Sequence, residues 1–537
     1  MSRAAFFTVH LLLASLPFFL DLHNLLMWAF FLLILISFCV GVYDMQQTEH
    51  SIRRNFPLIG RGRWIMESVR PFVQQYLLES DVGGAPINRM FRAIVYQRAK
   101  GDLASVPFGT KVDTYRDGYE WMGHSIAARN ISELDDDPRV TIGGPHCQQP
   151  YAAALLNVSA MSFGSLSNNA VRALNRGASL GGFYHNTGEG GVSDFHLEHG
   201  GDLVWQIGTG YFGCRRDDGS FSAEAFAETA ARPNIKMIEI KLSQGAKPGH
   251  GGILPASKNT DLIARIRQVP VGTEVISPSA HSAFSSPRGL LEFVAKLREL
   301  SGGKPIGFKL CVGRESEFIA ICKAMLDTGI TPDFVTVDGG EGGTGAAPLE
   351  YSNSVGMPLR DGLAFVVDTL QGFGVRDQIK VIASGKIITA FHMAKALSLG
   401  ADLCNSARGM MLALGCVQSL ECNTNHCPTG ITTQDPRLVQ GLDVTDKAQR
   451  VARFQGETLH ALLDLVSSAG LESPKALDRS HIHRRIDQMT IKRYDELFPM
   501  PTQGAYLTAT ATDPIYIHLK EADSDSFAPA TGITLQE

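Results

Sequence analysis

The sequence runs to 537 residues, 44% of them hydrophobic, with a formal net charge of −5. That length holds one large domain or two to three ordinary ones with a sizeable core, and the charge gives no electrostatic case for a nucleic-acid partner. Nine cysteines in so long a chain exclude a disulfide framework and place the bulk of it in a reducing compartment.

The first stretch stands apart. Residues 4–20 and 25–43 are apolar runs separated only by Asp21-Leu22-His23-Asn24. Each is long enough to cross roughly 30 Å of hydrocarbon at about 1.5 Å per residue. The pair predicts a transmembrane hairpin over residues 1–50. Arg53, Arg54, Arg61, Arg63 and Arg70 follow the second run and Arg3 precedes the first. The positive-inside tendency then sets the hairpin in the cell inner membrane with both ends, and the catalytic domain, in the cytoplasm. A cleaved signal peptide and a buried hairpin of a soluble protein are the rivals; no small-x-small cleavage site follows the first run.

Residues 51–150 form a polar, arginine-bearing connector punctuated by turns at Pro107-Phe108-Gly109, Asp137-Pro138 and Gly143-Gly144-Pro145. From about Leu155 short apolar runs alternate with amphipathic stretches. Candidate strands cover residues 155–160, 183–186, 237–240, 274–276, 306–310, 334–337, 381–383 and 403–405. Leu290, Phe293, Val294 and Leu297, and again Leu363, Val366, Val367 and Leu370, give one-sided helices between them. Eight such units match an α/β fold, a (β/α)8 TIM barrel over residues 151–471; a doubly wound sheet is the runner-up.

A barrel carries its chemistry in the loops after its strands. Here those loops are rich in glycine, which permits close backbone approach to a flat or phosphorylated cofactor. Gly385, Gly409 and Arg408 suit a phosphate at the seventh and eighth loops. Lys309 closes the fifth strand, where a lysine must be paired or used: beside a flavin ring, or in an ion pair. Glu189, Lys241, Gln244 and Lys247 occupy neighbouring loops and suit a dicarboxylate.

Gly208-Thr209-Gly210-Tyr211-Phe212-Gly213 matches the dinucleotide fingerprint in letters, yet no clear strand precedes it and no apolar helix follows. His196 and His199 do not have metalloprotease spacing. Cys416, Cys422 and Cys427 follow as C-x5-C-x4-C, closed by Pro428. Without a C-x2-C pair or a fourth cysteine, the run fits a three-iron cluster better than zinc, ordinary buried cysteines being the alternative. His426 is the one further candidate ligand. Residues 444–471 carry helical periodicity and pack back on the barrel. Residues 472–537 form an extension, polar and expected to be disordered past about Ala511.

Assembled, the motifs SAMSFGSLS, NTGEGG, IEIKLSQGAKPG, GGTGAAP and C-x5-C-x4-CPTG resemble the FMN-binding synthase domain of glutamate synthase. The resemblance implies FMN and a [3Fe-4S] cluster. It implies an enzyme that reductively aminates 2-oxoglutarate, or a similar 2-oxo acid, to L-glutamate or an N-substituted glutamate. It assigns FMN to Ala160, Met161, Ser162, Lys309, Gly342, Gly343, Ser384, Gly385, Ala407, Arg408 and Gly409. Catalysis falls to Glu189, Lys241, Gln244, Lys247 and Lys309, and cluster ligation to Cys416, Cys422 and Cys427.

The chain also departs from the family. It starts Met-Ser before apolar runs, not with a glutaminase cysteine, so free ammonia or an amine is the expected nitrogen donor. Tyr211 stands where the family has arginine, and Asn423 where it has histidine. No pyridine-nucleotide domain is visible, so ferredoxin, a separate reductase or a membrane donor supplies electrons. A membrane-bound flavin and iron–sulfur electron-transfer module without aminating activity is the competing expectation. An FMN barrel oxidising a 2-hydroxy acid ranks last, because its histidine base has no obvious seat.

Overall fold

The structure, a computed structural model, describes residues 2–16, 25–103 and 105–531. It falls into two compact units, Met1–Arg89 and Met90–Glu537. The connector thus divides: residues 51–89 belong with the N-terminal helices and residues 90–150 with the barrel.

In the first unit α1 (Arg3–Ser15) packs antiparallel on α2 (Leu25–Gln46). Phe6 is fully buried on Gly41, where a Cβ would come within 2.2 Å of its ring. His10 Nε2 meets Ser37 Oγ at 2.7 Å, a polar tie between two apolar helices. Within α2, Met27–Gln46 is long and apolar enough to cross a membrane; α1 is shorter. Residues 17–20 of the first expected span, and the turn at 21–24, lie outside the described residues. The helix α3 (Arg61–Val73) continues through a π-helical turn, Gln74–Leu78.

In the second unit eight parallel strands close a barrel: β1 (Leu156–Val158), β2 (His185–Asn186), β3 (Leu203–Ile207), β4 (Ile235–Lys241), β5 (Ile306–Leu310), β6 (Phe334–Asp338), β7 (Lys380–Ser384) and β8 (Leu403–Ser406). They pair in sequence order, and β8 returns to β1 with Cys404 opposite Leu156 and Ser406 opposite Val158. Most are buried on both faces and so read as nearly continuous apolar runs.

One expected strand is not in the barrel. Val275–Ile276 pairs antiparallel with Ile253–Leu254 as a small two-stranded sheet between β4 and β5. Its place is taken by β3, hidden in the sequence by the polar Gln206 in its middle. That residue points inward: Gln206 Nε2 donates to Glu239 Oε1 at 2.7 Å. A strand therefore does precede the Gly208–Gly213 run. No helix opens directly after it, since the next begins at Ala223, and the dinucleotide fingerprint still fails.

The barrel interior holds one polar layer. Glu239 is almost fully buried and accepts from Asn186 Nδ2 at 2.8 Å, Gln206 Nε2 at 2.7 Å and Thr336 Oγ1 at 2.6 Å. These residues sit on β2, β3, β4 and β6, so one carboxylate ties four strands.

Around the strands, α4 (Asn168–Gly181) is capped by Ser167 Oγ accepting from Ala170 N, and it stops at Gly182 with φ 66°. α5 (Pro287–Leu300) and α6 (Leu359–Gly372) bury the two periodic sets expected of them. α7 (Val444–Ser468) crosses α4 closely at Gly177, where a Cβ would lie 2.7 Å from Val451. Gln455 of α7 donates to Leu156 O at 3.4 Å and so docks it on β1.

The C-terminal extension is built into this unit. Ile482–Arg485 pairs with Glu120–Met122 and with Ile491–Arg493. Burial works against the Glu120 charge, but Lys395, Tyr494 and Arg484 outweigh it and draw its carboxyl down to about 2. The expected disorder past Ala511 does not hold for the described residues up to 531. Lys323 Nζ donates to Leu519 O at 2.6 Å and Ala522 O at 2.9 Å, and Arg288 pairs with Asp525. These contacts tie the polar tail to the barrel helices.

Glu239→Ala would leave three buried donors without an acceptor, at a cost of about 3 kcal/mol or more. Chemical denaturation should show that loss, and a change under about 1 kcal/mol would mean the layer does not tie the strands.

Candidate active site at the barrel mouth

The strand C-terminal ends place two buried ion pairs side by side. Lys241, last in β4, meets Glu189 Oε1 at 2.7 Å. Lys309, near the end of β5, meets Asp338 Oδ2, at the end of β6, at 3.0 Å. β4 and β5 are neighbours with Lys309 opposite Lys241, which sets the pairs in one row. Lys247 is buried on the loop after β4, and Gln244 is half-buried on the same loop.

The electrostatics follow from burial and pairing. Burial alone would raise the Glu189 carboxyl, but Lys241, Lys247 and Arg267 outweigh it and hold it at about 2. Burial dominates at Lys247 and lowers its ammonium to about 8, with Glu189 opposing and Lys241 adding to the fall. At Lys309 burial works against the charge, yet Asp338, Glu239 and Glu189 raise it above the ordinary lysine range. The charge of the interior layer is thus felt at the mouth.

The loops are pressed together through glycine. A Cβ on Gly245 would lie 1.8 Å from Gly339 O, and Gly245 N donates to Asp338 Oδ2 at 3.1 Å. A Cβ on Gly188 would lie 2.6 Å from Ser162 N. Ala160, Met161 and Ser162 are half-exposed at the mouth. Ser384 Oγ meets Ser159 Oγ at 3.2 Å between β7 and β1. Arg408 donates to Glu341 O at 2.7 Å and packs on Gly343, where a Cβ would stand 2.9 Å from Nε. Ala407 and Gly409 flank it at the start of the short helix Arg408–Ala413. Lys386 reaches the same corner, its ammonium lowered by burial and by Arg408. Cations Lys309, Lys386 and Arg408 beside the backbones of Gly342, Gly343 and Gly385 fit a flat, phosphate-bearing anion such as FMN.

Sequence reasoning did not find Glu239, Asp338, Arg267 or His281. A glutamate inside an apolar strand was the available signal for the first. Arg267 donates to Phe163 O at 3.0 Å and lies over the Phe212 ring at 5.1 Å. His281 Nε2 faces Lys241 O at 2.9 Å, so it carries the proton, and Nδ1 accepts from Tyr211 Oη at 3.1 Å. Burial lowers this imidazole to about 4. Both nitrogens are engaged, so His281 offers no free base at neutral pH. Tyr211, in the position noted as a departure, is buried and also accepts from Ala283 N at 3.0 Å.

The cysteine loop follows β8. Cys416 O accepts from Tyr96 Oη at 2.6 Å, Cys416 Sγ accepts from Gln418 N at 3.4 Å, and Cys427 Sγ meets Thr429 Oγ1 at 3.3 Å. Gln418, Leu420 and Asn425 have φ of 56°, 62° and 68°, a concentration of left-handed non-glycine residues that winds the loop back on itself. Burial pushes Cys416 up to about 11, with Cys422 and Cys427 adding to the rise. At Cys427 burial is outweighed by donors from Thr429 and Thr432, which favour the thiolate. Lys258 is buried beneath, donating to Cys422 O and Thr432 O, each at 2.7 Å, and to Ser165 O at 3.3 Å. It ties the cysteine loop to the loop after β1. Among the described residues no three His, Cys, Asp or Glu side chains form a group that could hold a metal ion. One-ion ligation therefore does not fit these cysteines. A multi-iron cluster spreads its thiolates over separate irons, and the three cysteines share one loop after β8.

The fold and the site define a (β/α)8 barrel of the enzyme type, its buried charges gathered at the strand C-terminal end. Residues 103–472 match the family model for the conserved region in glutamate synthase, and the chain belongs to that family. It is 37% identical to the glutamate synthase large subunit-like protein YerD of Bacillus subtilis, over 85% of this chain and 94% of that protein. It is 30% identical to the archaeal-type glutamate synthase [NADPH] of Thermotoga neapolitana, over 79% and 81%. It is 35% identical to the archaeal glutamate synthase [NADPH] of Methanocaldococcus jannaschii, over 60% of each.

Glu189 contributes stability that is complete above its ordinary pKa of 4.5 and is lost as pH falls toward about 2. Glu189→Gln should be less stable than the parent at pH 7, and the difference should shrink across that acid window. Denaturant titrations at pH 7, 4 and 3 check it; a constant difference would show that the Glu189 charge is not held by its lysines.

Proposed function

We propose that the protein is an FMN- and [3Fe-4S]-dependent glutamate-synthase-type oxidoreductase acting on 2-oxoglutarate or a similar 2-oxo acid with ammonia or an amine. It is anchored in the inner membrane by its N-terminal helices, with the barrel on the cytoplasmic side. Ferredoxin, a separate reductase or a membrane donor supplies the electrons. The observation that carries the reading is the row of buried Lys241–Glu189 and Lys309–Asp338 pairs beside Lys247 at the mouth of a barrel of this family. Bound FMN would supply hydride chemistry, and the cluster, on Cys416, Cys422 and Cys427, single electrons.

The chain's own part is charge placement. Lys247, drawn electrostatically by Glu189 against burial and Lys241, takes a substrate carboxylate by a charge-assisted hydrogen bond. Glu189 keeps Lys241 charged and aimed at the same place, and Gln244 adds an uncharged donor. Lys309, held protonated by Asp338, keeps a positive charge where an anionic ring would lie. The close glycine contacts between the loops narrow the mouth and limit the room for water.

A membrane electron-transfer module without amination is favoured by one observation: both Lys241 and Lys309 are committed to internal ion pairs. Anaerobic turnover with reduced ferredoxin, 2-oxoglutarate and labelled ammonia or methylamine separates the two by mass spectrometry. A labelled glutamate supports the first reading, and cofactor cycling without product supports the second. Colourless protein without flavin, prepared anaerobically, removes both.

Because Lys247 titrates at about 8, KM for the 2-oxo acid should be flat below that pH and rise by up to about tenfold per unit above it. Lys247→Met should raise KM at pH 7 and remove the rise. A KM that stays flat through pH 9 in the parent would take Lys247 out of substrate binding.

A further inference from the structure

We infer that α3 and its continuation, residues 61–78, lie in the headgroup layer of an anionic lipid surface. This rests on the reading of α2 as a membrane span. The segment has 18 residues in continuous helical conformation, none of them buried. Ile65, Val69, Phe72 and Tyr76 recur at i, i+4, i+7 and i+11 along one face, and Met66 and Leu77 lie at its edge toward Arg70. All six are exposed, Phe72 by 60%, Met66 by 67% and Leu77 by 77%. Arg63, Glu67 and Arg70 fall on the opposite face. Helices of this length draw their stability mainly from a covered apolar face, and an apolar stripe of this size on a soluble surface marks an interaction site.

Three observations choose lipid as the cover. The first is continuity. The Asp44 side chain, fully buried at the end of α2, accepts from Leu58 N at 3.1 Å and pairs with Arg61 at 2.8 Å. The start of α3 is thereby clamped to the last turn of the apolar helix. The second is charge. Besides Arg61, which Asp44 pairs, Arg53, Arg54, Arg63 and Arg70 stand at this end, and Arg3 of α1 reaches it too, donating to Arg54 O at 2.7 Å. Such a basic group suits anionic headgroups. The third is the boundary chemistry. Trp64 lies 4.6 Å from the His50 ring and 4.4 Å under the Arg53 guanidinium, and tryptophan with arginine is the pairing found where hydrocarbon meets water. A strongly amphipathic helix with a basic polar face lies in that plane with its apolar face down.

The test uses the full chain reconstituted in vesicles of phosphatidylcholine alone or mixed with phosphatidylglycerol. An apolar carbene probe dissolved in the bilayer is activated, and labelled peptides are mapped by mass spectrometry. Expected is labelling of residues 65–77 about threefold or more above barrel surface peptides, centred on Phe72 and Tyr76 and higher with phosphatidylglycerol. R63E/R70E should reduce labelling in the anionic vesicles and not in the neutral ones. If α2 is labelled while residues 65–77 remain at the barrel background, the inference fails and the span stands; the face is then covered by protein, this chain's barrel or a second copy. If neither is labelled, the span reading and the inference fail together. Equal labelling of parent and R63E/R70E in anionic vesicles overturns the headgroup contact.

Discussion

The site depends on one buried carboxylate. Glu239 stands on β4 inside a closed barrel, and a charge there is tolerable only with full hydrogen bonding. Asn186, Gln206 and Thr336 supply it from three other strands. The same charge acts upward, helping to keep Lys309 protonated between Asp338 and the mouth. Closing the barrel and setting the polarity of its open end are therefore one arrangement. The ion pairs above it are short and buried because the strands beneath them are held in register.

The mouth is a surface of compensated charge. Each lysine brought there by a strand end meets an acid from a neighbouring strand or loop. Lys247, one loop further out, loses more to burial than it gains from Glu189. That imbalance gives the site a graded character: a row of fixed ion pairs at the floor, and one titrating cation near the rim. Arg408 and Lys386 repeat the theme on the far side, where glycine backbones leave room for an anion.

Much of this was legible in the chain. The periodic sets around Leu290 and Leu363 and seven of the eight strands followed from spacing, because strands buried on both faces and one-sided helices leave distinct patterns. β3 was lost because Gln206 breaks its apolar run, and only its contact with Glu239 explains the break. Val275–Ile276 was mistaken for a barrel strand because a two-residue apolar run carries no mark of its pairing direction. The mouth residues Glu189, Lys241, Lys247 and Lys309 were found from their places after strands, but their pairing was not, since partners lie up to 52 residues apart, as Lys241 and Glu189 do. His281 and Lys258 were invisible for the same reason: each acts on backbone carbonyls, which no side-chain pattern announces.

The contact of Gly245 with Gly339 has a consequence for how such a barrel diversifies. A single methyl group at position 245 would collide with the carbonyl of the facing loop, so these two loops are yoked and neither can drift alone. Descendants that come to accept new molecules must alter less constrained positions at the rim, such as the half-buried Gln244. Innovation is channelled to the edge while the floor is inherited intact.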